Sequence, residues 1–314
     1  MDRLPDIDYA SHPAYQLRPD PERGRQAAEQ LQPLIERMIE AEAYRAAHFG
    51  YRYGSSSEDG RTLVDQGALP FQLGAAASQD LIEKAAPAVA AARARMAAVQ
   101  AEGKRPNFSD RMVMATSEAH APLRAAVEQA MRDINAFELT ASFFSAPAAK
   151  LENVAVLVST PEDKESLLRH EGDAPGAGMH VDSSGKCLIK AVLYLSDVDA
   201  GCGPFSLVPG SHRWNPGSPD RIRRRAFDRS DLKGRASASR RVFLALPKEL
   251  QVKAEFGADL LPEWDETREL LAGEQVFLGG PGVGTLFDPE AVHRGGLAAS
   301  GERRAILVTL SAMY

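Results

Sequence analysis

Apolar positions recur with helical spacing in the first half of the chain and with alternating spacing in the second. From Glu22 to Phe49 the stripe is Leu31, Leu34, Ile35, Met38 and Ala41, and the spacing predicts a helix. Pro33 is expected to break or restart it, because proline lacks the N–H that the ladder needs and its ring crowds the preceding turn. Ser78 to Glu102 is rich in alanine and carries Leu81, Ile82, Ala85, Val89 and Ala92 on one face. A third helix is expected over Ser117–Phe137, with Leu123, Val127, Met131 and Ile134. Stripes of this kind are packing surfaces and imply no chemistry by themselves.

Beyond residue 150 the period changes. Short β-branched and aromatic runs alternate with Gly, Pro and Asp turns: Asn153–Ser159, Gly178–Val181, Cys187–Leu195, Phe205–Val208, Gln275–Leu278, Val283–Phe287 and Arg304–Leu310. Regularly spaced short strands predict a sandwich or barrel rather than a doubly wound sheet. Between Trp214 and Ala272 lies a less regular insert holding Arg221, Arg223, Arg224, Arg225, Arg235, Arg240 and Arg241. No internal repeat is visible. The expected organisation is one α+β domain over residues 1–314, in which a mainly helical half (1–150) packs on a β-core (151–314) interrupted by the basic insert at about 214–272.

Composition narrows the class. The chain has 314 residues, 44% of them hydrophobic, which is enough for one large domain or two small ones. Its formal charge of −6 gives no global reason to expect nucleic acid. Residues Met1 to Pro19 lack an apolar stretch of signal-peptide type, and no run approaches the length of a membrane span. Cys187 and Cys202 make neither a disulfide framework nor a zinc spacing, so two reduced thiols in a cytoplasmic protein are expected.

The candidate chemistry begins at His180-Val181-Asp182. On an extended segment, residues two apart share a face, so the imidazole and the carboxylate point the same way. With the distant His293 they make a 2-His-1-carboxylate set, which holds Fe(II) and leaves coordination positions open. A strand follows over Cys187–Leu195, one face of which shows Lys190, Val192, Tyr194 and then Ser196. A lysine there either protects a sheet edge or points into a polar cavity, and periodicity does not choose between the two. His212, in the turn Pro209-Gly210-Ser211-His212, is expected to fix that turn by a hydrogen bond rather than to bind metal. Arg304 opens an apolar strand eleven residues after His293 and alternates with Ile306, Val308 and Leu310. An arginine at a barrel mouth can fork onto a carboxylate. Arg303, on the opposite face, is expected at the surface.

Together these pieces resemble the phytanoyl-CoA dioxygenase-like family of Fe(II)/2-oxoglutarate-dependent oxygenases. The resemblance rests on His180-Val181-Asp182, the Lys190–Asp197 strand, Gly203-Pro204-Phe205, Pro209-Gly210-Ser211-His212, and His293 with Arg304. It covers about the last 160 residues and leaves the helical half without a motif. It implies a double-stranded β-helix (jelly-roll, cupin-like) core. It also implies iron ligands His180, Asp182 and His293, Arg304 on the distal carboxylate of 2-oxoglutarate, and a cavity-facing Lys190 that meets 2-oxoglutarate or substrate. The implied reaction uses O2 and oxidises an unactivated C–H bond of a small molecule, most simply by hydroxylation, while 2-oxoglutarate is decarboxylated to succinate and CO2. Related aliphatic halogenases carry a small residue where Asp182 stands, so its presence favours hydroxylation or desaturation. The interval from Asp182 to His293 is longer than is usual for the family, and the basic insert accounts for the excess. That insert admits an anionic or carrier-linked substrate, or a merely solvated face. Two alternatives are a cupin-like metalloenzyme that does not use 2-oxoglutarate and a non-catalytic ligand-binding jelly roll.

Overall fold

In the computed structural model the described residues are 19–49, 57–104, 106–161, 182, 187–214, 242, 245–247, 250, 272–296 and 298–313. The expected strand Gly178–Val181, with His180, and nearly all of the insert lie outside them. Among the described residues, α-helices run over Pro21–Phe49 (α1), Glu58–Gln66 (α2), Ala75–Ala101 (α3), Phe108–Arg111 (α4), Ala121–Asp133 (α5) and Ala136–Phe143 (α6). Strands among the described residues cover Ala68–Gln72 (β1), Met112–Met114 (β2), Ala148–Ser159 (β3), Leu188–Tyr194 (β4), Ser206–Leu207 (β5), Gln275–Val276 (β6), Val283–Phe287 (β7), His293–Arg294 (β8) and Arg303–Met313 (β9).

Local chemistry explains most of the boundaries. Ser57 caps α2 by accepting the Gly60 N–H, and Gly67 closes it in the left-handed region. The expected third helix divides because Asn135 takes φ 56°, ending α5 and starting α6. Pro33 and Pro87 both sit inside continuous helices, against the expectation of a break at Pro33. Pro33 faces solvent, so water can satisfy the carbonyl it leaves unbonded, while Ala27, Leu31, Ile35 and Met38 keep one buried stripe across it. That stripe packs on Val242 and Leu246, residues of the insert, in a cluster of its own.

The strands form two antiparallel sheets, so the chain is α+β. The larger has the order β1-β7-β4-β9-β3-β2, and the smaller has the order β6-β5-β8. Both edges of the larger sheet come from the helical half and are absent from the sequence expectation. β1 contains Pro70, which an edge strand tolerates, and β2 is only three residues long.

One face of the larger sheet packs on the helices. Val154, Val156, Val158, Ile189, Ala191, Leu193, Leu286, Ile306, Val308 and Leu310 meet Leu63, Leu81, Val89, Val127 and Phe143 in the main core. The other face meets the smaller sheet through a second cluster that includes Val192, Tyr194, Phe205, Leu207, Phe277, Phe287 and Ala305. The candidate residues lie on this second face. Cys187 and Cys202 are not joined in a disulfide. Among the described residues no helix is long and apolar enough to cross a membrane.

Candidate active site between the two sheets

Register fixes which side chains share the inner face. Lys190 lies opposite Phe287 and Thr309, Val192 opposite Thr285 and Leu307, and Tyr194 opposite Ala305. Ser159 lies opposite Arg303. Directly paired residues project to the same side of a sheet, so Lys190, Tyr194, Arg303 and Ser159 all face the smaller sheet. On that sheet His293 pairs with Leu207, and its ring lies 4.9 Å from Phe287 and 5.9 Å from Phe205, centroid to centroid.

Asp182 and His293 meet here. His293 Nε2 is 3.5 Å from Asp182 Oδ2. The backbone N–H of Asp182 donates to Pro289 O at 2.8 Å, tying it to the turn that follows β7. His293 is 5% exposed, and its Nδ1 is 2.8 Å from Ala291 O. A carbonyl can only accept, so Nδ1 carries a proton, and Nε2 is the ring atom turned towards Asp182. An imidazole nitrogen and a carboxylate oxygen at this separation are donors that a single divalent ion can bridge, and their hardness suits Fe(II). Among the described residues they do not form a group of three metal-binding side chains. The expected third ligand, His180, lies outside those residues.

The turn before the insert supports this pair. The Ser211 hydroxyl donates to Val208 O at 2.6 Å and accepts from Val292 N–H at 2.8 Å, one residue before His293. His212 is buried, and its Nε2 donates to Val64 O of α2 at 2.8 Å, so it fastens the turn to a helix. Gly67, at φ 73°, permits this approach: a Cβ there would stand 2.5 Å from His212 Nδ1.

Lys190 reaches the same centre. Its Nζ is 2.7 Å from Asp182 Oδ2, with the two side chains 32% and 27% exposed. Periodicity left its direction open, and the structure turns it inward onto a carboxylate.

The two arginines reverse their expected surroundings. Arg303, expected at the surface, is 4% exposed. Its Nη1 donates to the carbonyls of Gly203 and Gly295, and its Nη2 donates to Ser159 Oγ at 3.2 Å. Gly203 and Gly295 each lie two residues from a ring of the site, Phe205 and His293 respectively. No carboxylate pairs with Arg303 among the described residues, its Nε is buried without a hydrogen-bond partner, and burial pulls its pKa below the ordinary arginine value. Arg304 lies opposite Val158 on the helix-packed face, with its Nε 3.5 Å from Glu302. Alternation along β9 is as expected, but the inward side is the one that carries Arg303.

Two further groups belong to the site and carried no functional signal in the sequence. The Tyr194 hydroxyl donates to Phe277 O at 2.8 Å and accepts from Phe205 N–H at 2.9 Å, bracing one sheet against the other. Burial pushes this phenol above its usual pKa and keeps it a neutral donor. Its place two and four residues from Val192 and Lys190 was the available clue. Arg294, beside His293, forks onto Glu274 at 2.8 and 2.7 Å, and Ser206 donates to the same carboxylate at 2.5 Å. That knot joins β8 and β5 to the chain entering β6.

No protein-family model matches the chain, and no curated relative matches its sequence. Solved structures resemble it in fold. EctD from S. alaskensis with bound Fe has a TM-score of 0.50 at 14% identity, over 82% of this chain and 77% of that one. The same protein with 2-oxoglutarate and 5-hydroxyectoine gives a TM-score of 0.50 at 14% identity, over 82% and 76%. SnoK, a non-heme alpha ketoglutarate dependent carbocyclase from nogalamycin biosynthesis, gives 0.48 at 18% identity, over 82% and 85%. At these identities the likeness to EctD is one of fold.

Proposed function

We propose that this chain is an Fe(II)/2-oxoglutarate-dependent oxygenase, with its two sheets forming the double-stranded β-helix of that superfamily and the whole chain acting as one domain. The phytanoyl-CoA dioxygenase-like resemblance of its motifs makes that family the preferred placement. The observation that carries the proposal is the buried Arg303 guanidinium, which has no carboxylate partner among the described residues and lies on the same inner face, with its Nη1 donating to Gly295 O, two residues from His293. A buried cation of this kind costs free energy unless an anion reaches it, and a dicarboxylate whose other end chelates a metal at His293 would supply that anion. The solved EctD structures, which hold Fe and 2-oxoglutarate on the same fold, support the pairing of cofactors.

Asp182, His293 and the expected His180 would hold the metal, and Arg303, in place of Arg304, would hold the far carboxylate. Bound iron with 2-oxoglutarate supplies O2 activation coupled to loss of CO2 and formation of succinate. The protein's own contribution is orientation and dryness. Ala291 O holds the His293 ring through Nδ1, Pro289 O holds the Asp182 backbone, and Phe205, Phe287 and Val192 keep water from the interior. Tyr194 holds the sheet separation on which the distance from His293 to Arg303 depends. The carboxylate of Asp182 favours hydroxylation, or desaturation, over halogenation. The arginine cluster of the insert points to an anionic or carrier-linked small molecule as substrate, and the reduced-thiol composition to the cytoplasm.

The test is 2-oxoglutarate turnover. Purified protein with Fe(II) should release succinate, more so with a cognate member of a panel of acyl-CoA, amino-acid, phosphonate and carrier-linked compounds, and His293→Ala should not. Calorimetric titration should show that 2-oxoglutarate binds the Mn(II)-loaded protein. Metal binding without 2-oxoglutarate binding or succinate would return the chain to a cupin-like metalloenzyme; absence of both would leave a ligand-binding jelly roll.

A further inference from the structure

Lys190 and His293 address the same oxygen of Asp182. Lys190 Nζ lies 2.7 Å from Asp182 Oδ2, and His293 Nε2 lies 3.5 Å from that atom. Lys190 stands in the middle of the larger sheet, hydrogen-bonded between β7 and β9, so the base of its side chain is fixed. Asp182 has its own anchor, because its backbone N–H donates to Pro289 O at 2.8 Å.

A cation at this place can play one of two roles, and they have opposite signs. As a brace, it would orient the carboxylate, and removing it would weaken metal capture. As a competitor, it would draw charge from the oxygen that a metal ion between Asp182 and His293 must use, and it would repel a divalent ion arriving there. Removing a competitor strengthens capture. The Pro289 anchor holds the Asp182 backbone without Lys190, and the shared oxygen sets the Lys190 ammonium against a metal ion for the same atom.

We infer that Lys190 is a built-in competitor for the Asp182 carboxylate and sets the metal affinity of the centre by occupying the oxygen that faces His293. The inference rests on the Asp182–His293 centre proposed above. It makes Lys190 a tuning residue that keeps the metal exchangeable, which differs from the expected contact with 2-oxoglutarate or substrate. Both partners are about a quarter to a third exposed, so solvent screens the effect to roughly one order of magnitude in affinity.

The experiment is a titration of full-length protein with Mn(II), followed by loss of the free-ion electron paramagnetic resonance signal. Lys190→Met and Lys190→Gln remove the charge, Lys190→Arg keeps it, and His293→Ala removes a ligand. The expected result is an affinity about tenfold tighter for Lys190→Met and Lys190→Gln, and within about threefold of the parent for Lys190→Arg. Wild-type binding that His293→Ala abolishes, together with equal or weaker binding in both neutral variants, overturns the competitor role while leaving the centre intact. Equal binding by wild type and His293→Ala overturns the centre, and Lys190's role with it. Two neutral replacements of different polarity keep the result readable if one of them folds poorly.

Discussion

The two faces of the six-stranded sheet are built to opposite rules. The helix-packed face is aliphatic and dry: Ile189, Leu193, Ile306 and Leu310 are fully buried, and they meet the apolar stripes of α3, α5 and α6. The inner face, towards the smaller sheet, is aromatic and carries Lys190, Tyr194, Thr285 and Arg303 among its buried or half-buried members. Apolar burial on the first face contributes stability. Polar burial on the second costs stability unless each group is partnered. A chain that accepts this cost on one face of a sheet and avoids it on the other singles out that face for the proposed chemistry.

The contrast can be broken most forcefully at the proposed metal ligands. His293→Ala or Asp182→Ala should lower metal affinity by more than about a hundredfold, while thermal unfolding monitored by circular dichroism without added metal shifts little. Retained metal binding in both variants would remove the centre from the inner face. Arg303 and Arg304 give the next largest contrast. Arg303→Ala should raise the 2-oxoglutarate requirement by about two orders of magnitude, and Arg304→Ala by no more than about threefold, measured as succinate formed. The reverse order would mean that the face assignment fails.

A helix-face substitution sharpens the comparison from the other side. Leu193→Ala opens a cavity in the main core and should cost about 2–5 kcal/mol in denaturant unfolding, with metal affinity kept within about threefold. A loss of metal binding larger than the loss of stability would show that the faces are not independent. The smallest effect belongs to the insert. Replacing Arg223, Arg224 and Arg225 together with serine should raise the substrate KM by about threefold at low salt and less at high ionic strength. An unchanged KM would leave that cluster as a solvated face.

Much of this plan was legible in the sequence, because it depends on local periods. The helical stripes gave α1, α3 and α5, and alternating apolar runs located β3, β4, β7 and β9 to within a few residues. Elements with weak local signals were missed for stated reasons. β1 is broken by Pro70, β2 is three residues long, and β8 is a two-residue strand named only by its pairing with β5. The helix through Pro33 went the other way, since tertiary packing of its buried stripe outweighed a local breaker.

The site divides along the same line. Residue types and spacing selected His180, Asp182 and His293, and the family resemblance turned Lys190 towards the cavity; the structure brings Asp182, His293 and Lys190 together, while His180 lies outside the described residues. Alternation alone stated that Arg303 and Arg304 point to opposite sides of β9. Which side is inward is a property of the whole sheet, fixed by the helices that cover one face and the three-stranded sheet that covers the other. A period of two carries no sign, so the chain determined that one of the two arginines would face inward, and only the packing of two layers decided that it is Arg303.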